Sequence, residues 1–234
     1  MESADRASGP PHCESLRTDQ FDVVYYSDDH GDTWHLARNE SGASARLAGL
    51  DEPALAETPS GGVIVRARNE RFHGPGRCDC RGAAESHDGG DTMTGGVTFD
   101  AGLPEPVCEG TLLNDLPSGK IFSAMPGFGT DVEKKDGHNG RGNGVVRWSS
   151  DGGKSWGAAL KLWQGYAYSY SCLTRVPLPG YIGLAWETVL PYSYPHKRDI
   201  SANNIVGDAA FEPADHCGPT FSVLISRTRC RCSA

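Results

Sequence analysis

An all-β chain built from small repeated sheets is predicted by three observations. Glycine supplies 30 of the 234 residues, nearly twice the usual share, so tight turns are frequent. One turn motif occurs three times, each copy beside a short apolar run. No segment carries the sustained 3.6-residue periodicity of a long amphipathic helix.

From Phe21 the order of elements is regular. FDVVYYSDDHGDTWHL reads as a strand, a turn and the start of a second strand. The turn is Ser27-x-Asp29-x-Gly31-x-Thr33-Trp34. Its second copy is Ser86-x-Asp88-x-Gly90-x-Thr92-Met93, without the closing Trp. The third, Ser149-x-Asp151-x-Gly153-x-Ser155-Trp156, follows the strand VVRW. Ser27, Ser86 and Ser149 are 59 and 63 residues apart. That spacing is somewhat above the ~40–50 residues of common propeller blades and predicts one four-stranded sheet per repeat. In each turn the Ser and Asp side chains bond backbone N–H groups, Gly takes the positive φ, and the Trp is expected to pack beneath its hairpin. This is a structural role, and no chemistry is assigned to these aspartates.

Between the first two turns, Val63–Arg68 alternates, which places Ile64, Arg66 and Arg68 on one strand face and Val63, Val65 and Ala67 on the other. After the second turn further short strands follow, up to a charged, glycine-rich loop at 131–144. Tyr166–Glu187 reads as two apolar strands joined by a Pro/Gly turn. Residues 191–220 read as a long insertion before a last strand, FSVLIS, and 230–234 as an irregular tail. The propeller domain is therefore assigned to 21–229, and residues 1–20 are expected to be unstructured.

Composition narrows the function. A formal net charge of −8 argues against nucleic acid or an anionic membrane as partner. No apolar run approaches the ~18 residues that cross a bilayer, and the first residues hold no apolar core of a secretion signal. The pairs Cys78/Cys80 and Cys230/Cys232 leave one residue between the thiols, where zinc sites usually leave two to four. No metal or other cofactor is called for. Asn39-Glu40-Ser41 is an N-glycosylation sequon.

Together, the three Asp-box turns, DEPALAETPSGGVIVRARN, VVRWSSDGGKSW and YSYSCLTRVP…IGLAWE resemble the sialidase (exo-α-neuraminidase) superfamily. RCDCRGAAESHDGGDTMTGGVTFD is most similar to the animal lysosomal member. The resemblance covers roughly residues 21–190 and implies a six-bladed propeller, of which about four blades are accounted for. The chain is thus expected to be a fragment of the family fold.

The resemblance implies a retaining exo-sialidase that releases terminal sialic acid from glycoproteins, glycolipids and oligosaccharides. Sialic acid bears a carboxylate on its anomeric carbon, which calls for guanidinium groups that bind it bidentately. Arg68 and Arg147 resemble the second and third arginines of the family's triad, and Glu187 the carboxylate that orients the first. Tyr170 resembles the nucleophile and Glu52, in its Asp-Glu-Pro setting, the carboxylate that activates it. A tyrosine suits a substrate whose own carboxylate would repel an anionic nucleophile. Its phenol, with an ordinary pKa near ~10, needs a base beside it. Tyr168, two residues away on the same face, is the rival. The family's first arginine and its aspartate acid find no counterpart, since Asp5, Asp19 and Asp22 stand in no matching context. The alternative is a non-catalytic propeller remnant that binds sialoglycans or a protein. The lysosomal likeness further implies the secretory route, glycosylation at Asn39 and a protective carboxypeptidase partner.

Overall fold

The computed structural model describes residues 21–70, 78–128, 141–162, 170–177 and 180–186, together with the backbone of 209–211 and 221–226. The described residues contain strands and turns and no helix.

Short strands open the chain: β1 (Phe21–Asp22), β2 (Tyr25–Tyr26), β3 (His35–Leu36), β4 (Arg38–Asn39) and β5 (Leu47–Ala48). Four longer ones follow, β6 (Leu50–Glu57), β7 (Val63–Asn69), β8 (Cys80–Ser86) and β9 (Thr92–Pro104). The next group is β10 (Thr111–Asp115), β11 (Lys120–Phe128), β12 (Arg141–Ser149) and β13 (Leu160–Lys161). The last is β14 (Ser171–Arg175), β15 (Tyr181–Trp186), β16 (Ala209–Phe211) and β17 (Phe221–Ser226). Three larger sheets result, in the orders β4-β9-β8-β7-β6, β10-β11-β12-β13 and β14-β15-β17-β16, beside the small pairs β1-β5 and β2-β3.

Each larger sheet has its first long strand, β6, β10 or β14, at one edge, and β10 packs against both of the others. The core lies between sheet faces. Ala56 and Ile64 of the first sheet meet Leu112 and Ile121 of the second. Phe122, Ala124 and Val146 of the second meet Leu173, Ile182 and Leu184 of the third. Face-to-face packing of successive meanders is how a propeller buries sheets that could not bury themselves.

The third sheet departs from a simple meander. β15 and β17 pair in parallel, and Ala209–Phe211 forms a strand within the stretch read as an insertion. A parallel return needs a connection of a dozen or more residues, which the chain between Trp186 and Phe221 provides. Part of the charged loop is likewise strand, because β12 begins at Arg141.

All three Ser-x-Asp-x-Gly turns share one hydrogen-bond pattern. The serine hydroxyl donates to the aspartate and accepts from the glycine N–H, as between Ser27, Asp29 and Gly31. Ser86, Asp88 and Gly90 repeat it, as do Ser149, Asp151 and Gly153. The aspartate also accepts an N–H four residues on, from Thr33, Thr92 or Ser155. Hydrogen bonds from Thr33 and Ser27 hold Asp29 down at about 2, and equivalent bonds lower Asp88 and Asp151.

The tryptophans differ from the expectation. Trp34 is 63% exposed and its indole N–H merely bonds Gly31 O. Trp156 instead lies between two sheets, packed on the Ile64–Leu112–Ile121 and Leu103–Met125–Val145 clusters. Its indole N–H reaches Asp100 Oδ2 of β9 at 2.8 Å. Asp100 also takes Arg66 Nε at 2.7 Å, and Arg66 Nη2 donates to Gly153 O. Arg66 is therefore a buried tie between neighbouring sheets, not a solvated strand residue.

Candidate active site

Glu52 owes its position to the local sequence. Pro53 has no N–H to give the β6–β7 ladder, so the register breaks between Asp51 and Ala54. Glu52 stands at this bulge with φ of 48°, a left-handed conformation uncommon outside glycine and costly enough to mark functional sites. Asp51 Oδ1 accepts the Glu52 N–H at 2.8 Å and holds the bulge.

Three of the residues chosen from sequence meet here. The Tyr170 phenol donates to Glu52 Oε1. Arg68 Nη1 lies 3.1 Å from both Glu52 oxygens, and its Nη2 ion-pairs with Glu70. Burial works against the Arg68 charge, but the hydrogen bond to Glu52 and the charges of Glu52 and Glu70 outweigh it and raise the pKa. Tyr170, on the strand edge and 36% exposed, is pushed up to about 12. The hydrogen bond to Glu52 is the main cause and burial the next, while Arg68 pulls the other way. The phenol is thus held neutral, with its proton directed at Glu52.

Asp22, left without a role in the sequence reading, lies close to this group. Its pKa is raised to about 6, first by burial and then by the charges of Asp51 and Glu52. Its Oδ2 is buried with no hydrogen-bond partner.

Arg147 is not brought to this trio. It lies on β12 opposite Ser123, burial lowers its pKa, and its guanidinium donates to Gly157 O at 3.2 Å. The reason is strand direction. β10 and β12 are both antiparallel to β11, so the start of β12 lies at the end of the sheet where β10 starts. Arg147, six residues further along, is carried roughly 20 Å toward the Ser149 turn. The arginine at the start of β12 is Arg141, whose Nε and Nη2 both bond Val107 O, the latter at 2.6 Å. The VVRW pattern drew attention to Arg147, whereas Arg141 stands among glycines in the sequence.

Glu187 and Tyr168 lie outside the described residues, as do Asp5 and Asp19. Asn39 is exposed, and its Oδ1 accepts the Ser41 hydroxyl and the Ala43 N–H. Cys78 and Cys80 are joined in a disulfide. Among the described residues, no group of three His, Cys, Asp or Glu side chains is arranged to hold a metal.

Comparison with known proteins places the fold. A family model described as a BNR repeat-like domain matches residues 4–183. The sialidase of Micromonospora viridifaciens is 31% identical over 199 residues, 82% of this chain and 28% of that protein. Among solved structures, the Hadza microbial sialidase Hz136 superposes with a TM-score of 0.52 at 28% identity, over 70% of this chain and 29% of that one. A variant of the NanB sialidase of Streptococcus pneumoniae gives 0.50 at 20% identity, over 68% and 23%, which speaks to the fold alone. The chain spans less than a third of the length of these relatives. It belongs to the BNR repeat-like family, as part of a β-propeller of the sialidase type.

Proposed function

We infer that the chain carries the nucleophile half of a retaining exo-α-sialidase site. The observation that supports this most is the Tyr170–Glu52–Arg68 contact, assembled from two different sheets. Tyr170 Oη attacks the anomeric carbon of a terminal sialoside while its proton passes to Glu52, and the bond to the aglycone oxygen breaks, that oxygen taking a proton from solvent. Water then attacks the same carbon and gives up a proton to solvent, and the departing Tyr170 oxygen recovers its proton from Glu52. Two inversions retain the configuration. Arg68 and Arg141, rather than Arg147, hold the substrate carboxylate, since both stand at the end of the sheets where Tyr170 lies.

Hydrolysis of a fluorogenic aryl α-sialoside between about pH 4.5 and 7, by the chain and by Tyr170→Phe, tests the reading. An activated leaving group needs little proton assistance, a contribution otherwise worth ~10²–10⁴-fold. Turnover that disappears in Tyr170→Phe supports the enzyme. A folded chain that binds sialosides without turnover is instead a sialoglycan-binding propeller.

A further inference from the structure

A closed chain of contacts surrounds the trio, and its least explained member is Glu109. Asn69, next to Arg68, donates its N–H to Glu105 Oε1 at 2.7 Å. Glu105 Oε2 takes Arg81 Nη1 at 3.0 Å, and the same nitrogen donates to Cys108 O at 2.9 Å. Cys108 is followed by Glu109, whose Oε2 accepts the Ser171 N–H at 2.8 Å. Ser171 is preceded by Tyr170, which donates to Glu52, which is bonded to Arg68. The circuit closes on Arg68, the neighbour of the residue where it began. Its hidden side is rigid, because Arg81 and Glu105 are almost wholly buried and such a pair tolerates little displacement of either partner.

The surroundings of Glu109 show what it holds. Ser171–Glu109, Leu173–Thr111 and Arg175–Asn114 contacts step along β14 and β10 in the same direction. The two strands therefore start together, with Glu109 ahead of one and Tyr170 ahead of the other. Ser171 is tied twice, by its N–H to Glu109 and by its hydroxyl to Ala124 O at 3.1 Å. Only one peptide bond separates that anchor from the reactive phenol.

Resting on the sialidase reading above, we propose that Glu109 is a positioning residue for Tyr170: its carboxylate, braced through Cys108 by the buried Arg81–Glu105 pair, fixes the backbone from which the phenol reaches Glu52. It acts on the phenol through the Ser171 N–H. Its contribution is the alignment of nucleophile and base, where displacement of about 1 Å costs on the order of 100-fold in rate.

Three variants test this. Glu109→Gln keeps an oxygen acceptor at the same reach, Glu109→Met keeps the volume without an acceptor, and Glu109→Ala removes both. The first readout is the ultraviolet titration of Tyr170, taken as the difference from the same protein carrying Tyr170→Phe. In Met and Ala the phenol is expected to titrate at least one pH unit closer to the ordinary tyrosine value, with Gln retaining the wild-type curve. The second readout is aryl sialoside turnover, where Met and Ala lower kcat about 10- to 100-fold with KM within about twofold, and Gln restores most of kcat. A wild-type titration curve in both folded Met and Ala overturns the proposal, as does a Gln variant that behaves like Met. Titration shifts in Met and Ala, with no turnover from the folded wild-type chain, sink the sialidase reading and leave the positioning role standing.

Discussion

Tyr170 and Glu52 are hydrogen-bonded across 118 residues of sequence, one just ahead of β14 and the other in β6 of a different sheet. The bond stabilises the neutral phenol, since a carboxylate acceptor favours the protonated donor. Removing the carboxylate therefore lowers the Tyr170 pKa and also removes its base. In Glu52→Gln the phenol is expected to titrate near ~10 rather than about 12, while kcat falls ~10²–10⁴-fold. Spectroscopic titration and aryl sialoside kinetics on one preparation check both. A pKa that stays at the wild-type value would show that Glu52 is not what raises it.

Arg141 and Arg147 make a second, comparative prediction. Charge-assisted hydrogen bonds contribute about 1.5–3 kcal/mol, so Arg141→Ala should lower kcat/KM for a sialoside by about 10- to 100-fold. Arg147→Ala should leave kcat/KM within about threefold and act mainly on stability, through the lost bond to Gly157 O. Reversal of that order would restore the assignment made from the VVRW motif.

Asp22 yields a pH-dependent stability. Its folded-state pKa is raised to about 6 from 3.8, so the protonated form is favoured on folding. That stabilisation is complete below about pH 3.8 and is lost as pH rises through about 6. Asp22→Asn cannot ionise, and should gain on the order of 1 kcal/mol over wild type between pH 4 and 7, a figure discounted for partial contact with water. Denaturant midpoints of both proteins at the two pH values measure it. A gap that does not change with pH would place the Asp22 carboxyl in water.

Gly110 is the packing test of the circuit behind Tyr170. A Cβ there would lie 2.8 Å from Arg81 Nη1 and 3.1 Å from Met125 Cβ. The guanidinium is held by Glu105 and Cys108 and cannot give way freely. Gly110→Ala is expected to cost about 1–3 kcal/mol, as overpacking of a filled core does. It should also weaken the Tyr170–Glu52 bond, visible as a downward shift of the phenol titration. Unchanged thermal stability would mean that the buried pair has room to move.

Much of the architecture was legible because it is local. A Ser-x-Asp-x-Gly turn satisfies its own hydrogen bonds within seven residues, and β-hairpins follow alternation and turn chemistry. The three turns, a strand over Val63–Arg68 and a hairpin within the stretch Tyr166–Glu187 stand where these patterns place them, although the first strand of that hairpin begins at Ser171, after Tyr170. Glu52 could be chosen for the same reason, as the proline beside it breaks the ladder whatever lies opposite.

The rest depends on which elements meet, and no local pattern encodes that. Trp34 and Trp156 close the same motif, yet one is in water and the other between two sheets, because only the second has a neighbouring sheet with Asp100 against it. Arg141 and Arg147 share a strand, and only strand direction decides which of them stands near Val107 and which near Gly157. Glu109 and the Arg81–Glu105 pair look like ordinary charges in the sequence. Their placement beside Tyr170 and Arg68 follows from β10 lying between β6 and β14. Turn geometry is determined over a few residues by backbone hydrogen bonding, whereas the site is determined by the packing of sheet upon sheet over a hundred residues and more.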